Sequence, residues 1–345
     1  MKKFLLPLFA LLFVACGEKG PNGPDWGNIT PNPEPEPNPE PDTEQIVIKD
    51  IEPTTELGAA NEKIAGLRFQ PGISVNIASS NFNSSLASIA SAGFKYIEIT
   101  IKQGYGIMER SDSDVKADFA NKLSQVKANG LTIWSIHLPF DDANYTHIAG
   151  KENVRVQSVN NIMRVLRLCV ESFPECKNYV LHASKGVLSP RSESVSQARK
   201  SLNQMIPEAK ALGVRICVEN LVGSLCYSIE EMENTISGIN DAWVTYDIGH
   251  ANCVGIDVVQ FLKAIGPRLG TVHMHDTMFG TKNDSHDLIG DGNISKWEEV
   301  YYTMLKDNRY RGVFMFELTG KNPNTVMNSY KKIMSDYQAL YEDKK

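Results

Sequence analysis

The sequence pattern predicts the α/β class, as a (βα)8 TIM barrel. Three observations carry this. Eight short apolar runs alternate with eight longer amphipathic stretches between residue 70 and the C-terminus. No Gly-x-Gly-x-x-Gly follows the first run, which argues against a doubly wound open sheet. Acidic and imidazole side chains interrupt the apolar runs near their C-terminal ends, where barrels of this type build their active sites.

The first run, GISVNI at 72–77, is rich in β-branched residues, and helical spacing over 83–92 follows it and stops at Gly93. KYIEITI (95–101) precedes a helix over 113–129 that meets Gly130, and a glycine at that point suits a left-handed cap. TIWSIHL (132–138) leads into 154–173, and NYVLHA (178–183) into 193–212, which ends before Gly213. VRICVEN (214–220) and AWVTYDI (242–248) precede helices over 228–238 and 257–265. GTVHMHD (270–276) and GVFMFEL (312–318) complete the set, with helices over 295–308 and 323–342. Near-continuous apolar runs, rather than strict alternation, are what strands buried on both faces require.

The N-terminus reads as a targeting segment. Lys2 and Lys3 form a positive region, and the apolar residues 4–15 are fewer than the roughly 20 that span a bilayer. Cys16 follows Val14-Ala15 and precedes Gly17, so residues 1–17 resemble a bacterial lipoprotein signal. That resemblance implies a signal over 1–16, a lipid anchor on Cys16, and a place in the cell envelope, with the membrane touched only through the lipid. An ordinary secretory signal with an incidental cysteine is the alternative. Residues 17–45 hold eight prolines, a composition that favours an extended tether over a packed core. Residues 46–345 are assigned to the barrel, with 46–70 as an extension packed on it.

Net charge is −6 over 345 residues, and no basic run is present. That balance lacks the electrostatic footprint of a nucleic-acid binder, so no nucleic-acid partner is expected. Five cysteines remain after Cys16, an odd number at irregular spacing, which predicts free thiols and no disulfide framework.

The chemistry lies at the ends of the runs. His137, His182, Glu219, Asp247, His273 and Glu317 occupy strands 3 to 8 in turn, and Glu98 sits in strand 2. A lone acid or imidazole in an apolar strand is costly unless it is paired or bound to metal. A divalent cation is the simplest common cause, since carboxylates and imidazoles suit Zn2+ or Mn2+. His250, three residues after Asp247, and Asp284 and His286 in the loop after strand 7 extend the candidate set. Each has a second reading: His137, His182 and His250 as substrate-facing or core histidines, Asp284 and His286 as solvated loop. His275 is read as a substrate-side or supporting residue, Glu98 as a substrate-side or structural acid, and His147 as a surface residue. Trp134, Trp243 and Phe316 are assigned to the core; Tyr105, Phe140 and Phe279 are candidates to line a sugar pocket.

Taken together and in order, IHLP (136–139), LHAS (181–184), VENL (218–221), YDIGH (246–250), VHMHD (272–276), DSH (284–286), LIGDGNI (288–294) and FEL (316–318) resemble the xylose isomerase-like barrels. That superfamily comprises sugar isomerases and epimerases together with DNA-repair enzymes of the endonuclease IV type. In the sugar enzymes the resemblance implies one metal on Glu219, Asp247, His273 and Glu317. In the endonuclease branch it implies up to three, held by those four with His137, His182, His250, Asp284 and His286. The chain departs from the family pattern in three places. MHDTMFG (274–280) lacks the arginine that follows the strand-7 histidine in many epimerases, His275 replaces a common lysine, and Asp291 stands in a Gly-Glu-Gly position.

The expected activity is a metal-dependent isomerase or epimerase, or a related lyase, acting on a small carbohydrate in the envelope. Glu219 and Glu317 are its acid–base pair, and His137, His182, His250, His275 and Glu98 its substrate-side residues. A zinc phosphodiesterase of the endonuclease type and a non-catalytic carbohydrate-binding lipoprotein are the alternatives.

Overall fold

The computed structural model describes residues 68–341, apart from residues 141, 143 and 185. The signal segment, Cys16, the proline-rich stretch and nearly all of the 46–70 extension lie outside the described residues.

Eight parallel strands form one sheet in the order β7-β6-β5-β4-β3-β2-β1-β8. They are β1 (Gln70–Asn76), β2 (Tyr96–Thr100), β3 (Thr132–His137), β4 (Asn178–Leu181), β5 (Arg215–Glu219), β6 (Trp243–Asp247), β7 (Leu269–His273) and β8 (Val313–Phe316). A single bridge between Met274 and Phe316, where Met274 N donates to Met315 O at 2.8 Å, brings β7 against β8 and nearly closes the barrel. The helices are α1 (Phe82–Ser91), α2 (Asp112–Ala128), α3 (Glu152–Ser172), α4 (Arg191–Ala211), α5 (Ile229–Ile236), α6 (Ile248–Cys253), α7 (Val258–Ile265), α8 (Trp297–Lys306) and α9 (Pro323–Tyr341). All residues of β2, β4, β6, β7 and β8 are buried, as the unbroken apolar runs require when helices cover one face and the barrel interior the other.

Local chemistry sets the helix ends. Ser111, Ser228 and Asp257 each accept a backbone N–H from three residues on, capping α2, α5 and α7. Gly93, Gly130 and Gly213 adopt positive φ just beyond α1, α2 and α4, as their positions predict.

The interior below the site is filled. Trp134 Nε1 donates to Thr271 Oγ1 across the barrel at 3.2 Å. Gly312 lets Tyr310 and Trp134 approach: a Cβ there would lie 2.2 Å from the Tyr310 hydroxyl and 2.5 Å from the Trp134 ring. Among the described residues, the candidate ligand groups gather at the C-terminal end of the barrel. Trp134, Trp243, Trp297 and Phe316 are core, and the five cysteines are free and buried. No helix among the described residues is long and apolar enough to cross a membrane.

Two features differ from the sequence reading. A short helix precedes the one expected over 257–265. Asp247 caps a helical turn, α6, by accepting the His250 N–H at 2.7 Å. His147 is buried, because Asp142 and Thr146 hydrogen-bond to each other and fold its segment onto the barrel end.

Candidate metal centre

Strand ends deliver most of the candidate residues. His137, Glu219, Asp247 and His273 are the last residues of β3, β5, β6 and β7, and His182 and Glu317 directly follow β4 and β8. Asp247 and His273 face each other in the β6–β7 register. α6 returns His250 over the same opening, and the loop after β7 brings Asp284 and His286 beside it.

The side chains gather into groups whose ligand atoms lie within 4.8 Å of one another. Glu219, Asp247, His273 and Glu317 form one. His137 and His182 form a second with the same Glu219, and His250, Asp284 and His286 form a third. His273 Nδ1 lies 3.1 Å from Glu219 Oε1, 3.1 Å from Glu317 Oε2 and 3.7 Å from Asp247 Oδ2. His137 Nε2 and His182 Nε2 approach Glu219 Oε2 at 3.2 and 3.0 Å. His250 Nε2 and His286 Nε2 approach Asp284 Oδ2 at 3.1 and 2.9 Å. Burial falls outward, from Asp247 and His273 at 0% side-chain exposure to His286 at 34%.

Electrostatics couples these groups. Burial pushes the Glu219 carboxyl up, but the charges of His273 and His182 outweigh it and hold it well below the usual range. Asp247 is likewise held well below its ordinary value, with His250 and His275 overcoming burial. Burial pulls His273 down, yet Glu98, Glu317 and Glu219 hold it well above 6.5. His286 is raised to about 9, as Asp284 and Glu317 outweigh its desolvation. These shifts favour the ionised form of Glu219 and Asp247 and the protonated form of His273 and His286.

The donor set fits a divalent cation. Carboxylate and imidazole are the ligands of Zn2+ and Mn2+. The carboxylates of Glu219, Asp247 and Glu317 surround one nitrogen, an arrangement whose desolvation needs positive charge in its midst. The buried Asp284 Oδ1 also has no hydrogen-bond partner among the described residues.

Above the groups lies a cavity of about 570 Å3 lined by His137, His182, Glu219, His250, Asp284, His286 and Glu317, and also by Lys102, Phe140, Ser184 and Ser224. Phe140 packs against the rings of both His137 and His182, with centroids 4.4 and 4.6 Å away.

Two assigned substrate-side residues are not at this cavity. Glu98 and His275 are fully buried, and His275 forms a further ligand group with His286 and Glu317. Glu98 meets His273 Nε2 at 3.1 Å, and His275 Nε2 meets both Asp247 oxygens at 3.0 and 3.1 Å. Neither lines this cavity. Tyr105 hydrogen-bonds to Asp118 instead, and Phe279 lines a separate cavity against α7. The sequence reading passed over two residues. Lys102 follows β2 at the cavity wall, and its position at a strand end was a usable signal. Asn220 accepts the Asp247 N–H and donates to the Asp247 carbonyl, both at 2.8 Å, and its own carbonyl meets His250 Nδ1 at 2.7 Å.

A sequence model of the xylose isomerase-like TIM barrel family matches residues 86–336. An uncharacterised protein of Methanocaldococcus jannaschii is 28% identical over 221 residues, 61% of this chain and 71% of that protein. A probable endonuclease 4 of Acholeplasma laidlawii is 30% identical over 148 residues, which is 37% of this chain and 50% of the relative's length. Among solved structures, a D-tagatose 3-epimerase-like protein matches with a TM-score of 0.62 at 24% identity, covering 79% of this chain and 98% of its own.

Proposed function

The chain belongs to the xylose isomerase-like TIM barrel family, and we propose that it is a divalent-metal isomerase or epimerase, or a related lyase, of a small carbohydrate. One observation carries this reading. Glu219 and Glu317 reach a single cavity from β5 and the end of β8, with Asp247 and His273 completing a four-residue ligand group beneath them. The similarity to a D-tagatose 3-epimerase-like fold supports it.

Glu219, Asp247, His273 and Glu317 would hold the ion. When bound, the ion supplies a Lewis acid that polarises a carbonyl and its neighbouring hydroxyl. Glu317, with 15% of its side chain exposed at the cavity, is placed to take a proton from carbon, and Glu219 to return one from β5. The Glu317 carboxyl is held below its ordinary value and starts ionised, ready to accept the proton, whereas Glu219 must carry a proton before it can return one. His250 and Lys102 offer donors to hydroxyl groups, and Phe140 offers an apolar face to a sugar ring. The cavity volume of about 570 Å3 lies in the range of small-molecule sites. The test is exchange of a sugar's α-hydrogen with solvent deuterium in the presence of metal. Exchange with a sugar or oxidised sugar supports the reading, and its absence across a broad panel refutes it.

A second reading, phosphodiester hydrolysis, is favoured by a specific observation: Glu219 belongs to two ligand groups, and His250, Asp284 and His286 form a third. Three divalent ions would outweigh the four carboxylates of these groups and attract an anion, whereas one ion would leave the cavity negative. The endonuclease-named relative points the same way. Ion count and cleavage of abasic DNA separate the two readings.

We also infer that the enzyme works at the cell envelope, tethered by a lipid on Cys16. The apolar stretch 4–15 before that cysteine and the proline-rich residues after it support this.

A further inference from the structure

We propose that Glu98, together with Ser135, is a positioning residue that fixes His273 with Nδ1 toward the ligand group and Nε2 away from it. This rests on the reading of His273 as a metal ligand.

Glu98 lies in the middle of β2 with no exposed surface, and it lines no cavity. An ionised carboxylate in such a place is costly unless it is held. Ser135 Oγ donates to Glu98 Oε2 at 2.7 Å, and His273 Nε2 sits 3.1 Å from both carboxylate oxygens. The β2–β3 register shifts between Ile97 and Glu98, and beyond the shift Glu98 stands opposite Ser135. The residue left between these pairs is Trp134 of β3, so the irregularity lies on β3 and brings Ser135 opposite Glu98. Glu98 itself lies behind an imidazole donated by β7, five places away in the strand order.

The consequence is chemical. A neutral imidazole has one N–H and one lone pair, and the partner of one nitrogen decides what the other presents. The oxygens of Glu219, Glu317 and Asp247 around Nδ1 would favour an N–H there. A ring protonated at Nδ1 offers no lone pair to a cation. Glu98 competes for the proton from the opposite side. With Nε2–H donating to Glu98, Nδ1 keeps its lone pair facing the group. Glu98 therefore decides whether His273 can be a ligand, although it touches neither ion nor substrate.

The test uses the full-length protein with two variants. Glu98→Gln keeps the shape and an acceptor oxygen; Glu98→Leu removes the acceptor at similar volume. Zinc affinity is read by competition with a chromophoric chelator, and the His273 ring protons by long-range 1H–15N correlation. The expected result is a loss of about 10–100-fold in affinity for one zinc equivalent in Glu98→Leu, and a smaller loss in Glu98→Gln. The hydrogen-bonded Nε2–H signal disappears in Glu98→Leu. Zinc affinity within about twofold of wild type in both variants, with the Nε2–H signal retained, overturns the proposal. Metal-free melting temperature serves as the control: a lower temperature with unchanged affinity and ring signal means a purely structural role and also overturns it. A wild-type protein that binds no zinc refutes the metal reading instead, and the ring signal of the metal-free protein then decides the role of Glu98.

Discussion

Gly249 sits in the first turn of α6, against the flat face of His275. A Cβ built there would lie 2.0 Å from His275 Cε1, 2.4 Å from Nδ1 and 2.5 Å from Nε2. The imidazole cannot move aside. It is fully buried, hydrogen-bonded to Asp247, and stacked on His286 with centroids 4.1 Å apart and planes 6° from parallel. Gly249→Ala must therefore either push α6 off the barrel or break the His275–Asp247 contact. Overpacking costs about 1–3 kcal/mol, and losing a hydrogen bond to a charged group about 1.5–3 kcal/mol. A total near 3 kcal/mol lowers the melting temperature of a domain this size by on the order of 10 °C. Asp247 also loses its outer partner, so metal affinity falls with it. The assay is thermal denaturation of the metal-free protein beside zinc competition, with Gly104→Ala as control because a Cβ at Gly104 meets nothing within 4 Å. Gly249→Ala melting within about 2 °C of wild type, with unchanged zinc affinity, would refute the close approach of α6 to His275.

Asn220→Ala strips partners from the buried backbone N–H and carbonyl of Asp247, and urea denaturation should show a loss of about 2–3 kcal/mol. A loss below about 0.5 kcal/mol contradicts that role. The folded-state pKa of His286 is raised from 6.5 to about 9, so its contribution to the metal-free protein is fully present below 6.5 and lost as pH rises through about 9. The urea midpoint of the metal-free protein should fall across that window, and His286→Gln should flatten the fall; a slope equal in both proteins would count against the assignment. Cys16→Ser should abolish incorporation of labelled fatty acid and release the protein from the membrane fraction, and continued labelling would move the anchor elsewhere.

The eight strands were legible because a strand buried on both faces leaves an unbroken apolar run, and each run found here overlaps an observed strand. The ligand candidates were legible for the same reason: Glu219, Asp247 and His273 stand out in runs such as ICVE and GTVH that are otherwise apolar or small. What a strand cannot reveal is depth. Glu98 and Glu219 both interrupt apolar runs, yet one lies behind His273 and the other in front of it. Glu98 is the middle residue of β2 and Glu219 the last residue of β5, and only the closed barrel shows that the mid-strand carboxylate ends behind His273. Of the two readings of His275, the structure agrees with the supporting one. It points the same way as His273, but α6 folds over it, and that helix exists because Asp247 serves as its cap. His147 looked exposed among polar neighbours, and its burial follows from the Asp142–Thr146 contacts, which only the folded loop brings together.

The most direct measurement is divalent-metal analysis of the purified full-length protein beside His273→Gln. The centre predicts tightly bound zinc or manganese in the wild type and the loss of one full equivalent in the variant, because His273 Nδ1 faces all three carboxylates of its group. A wild-type protein that retains no divalent ion after dialysis, or a variant that keeps the full complement, would contradict it.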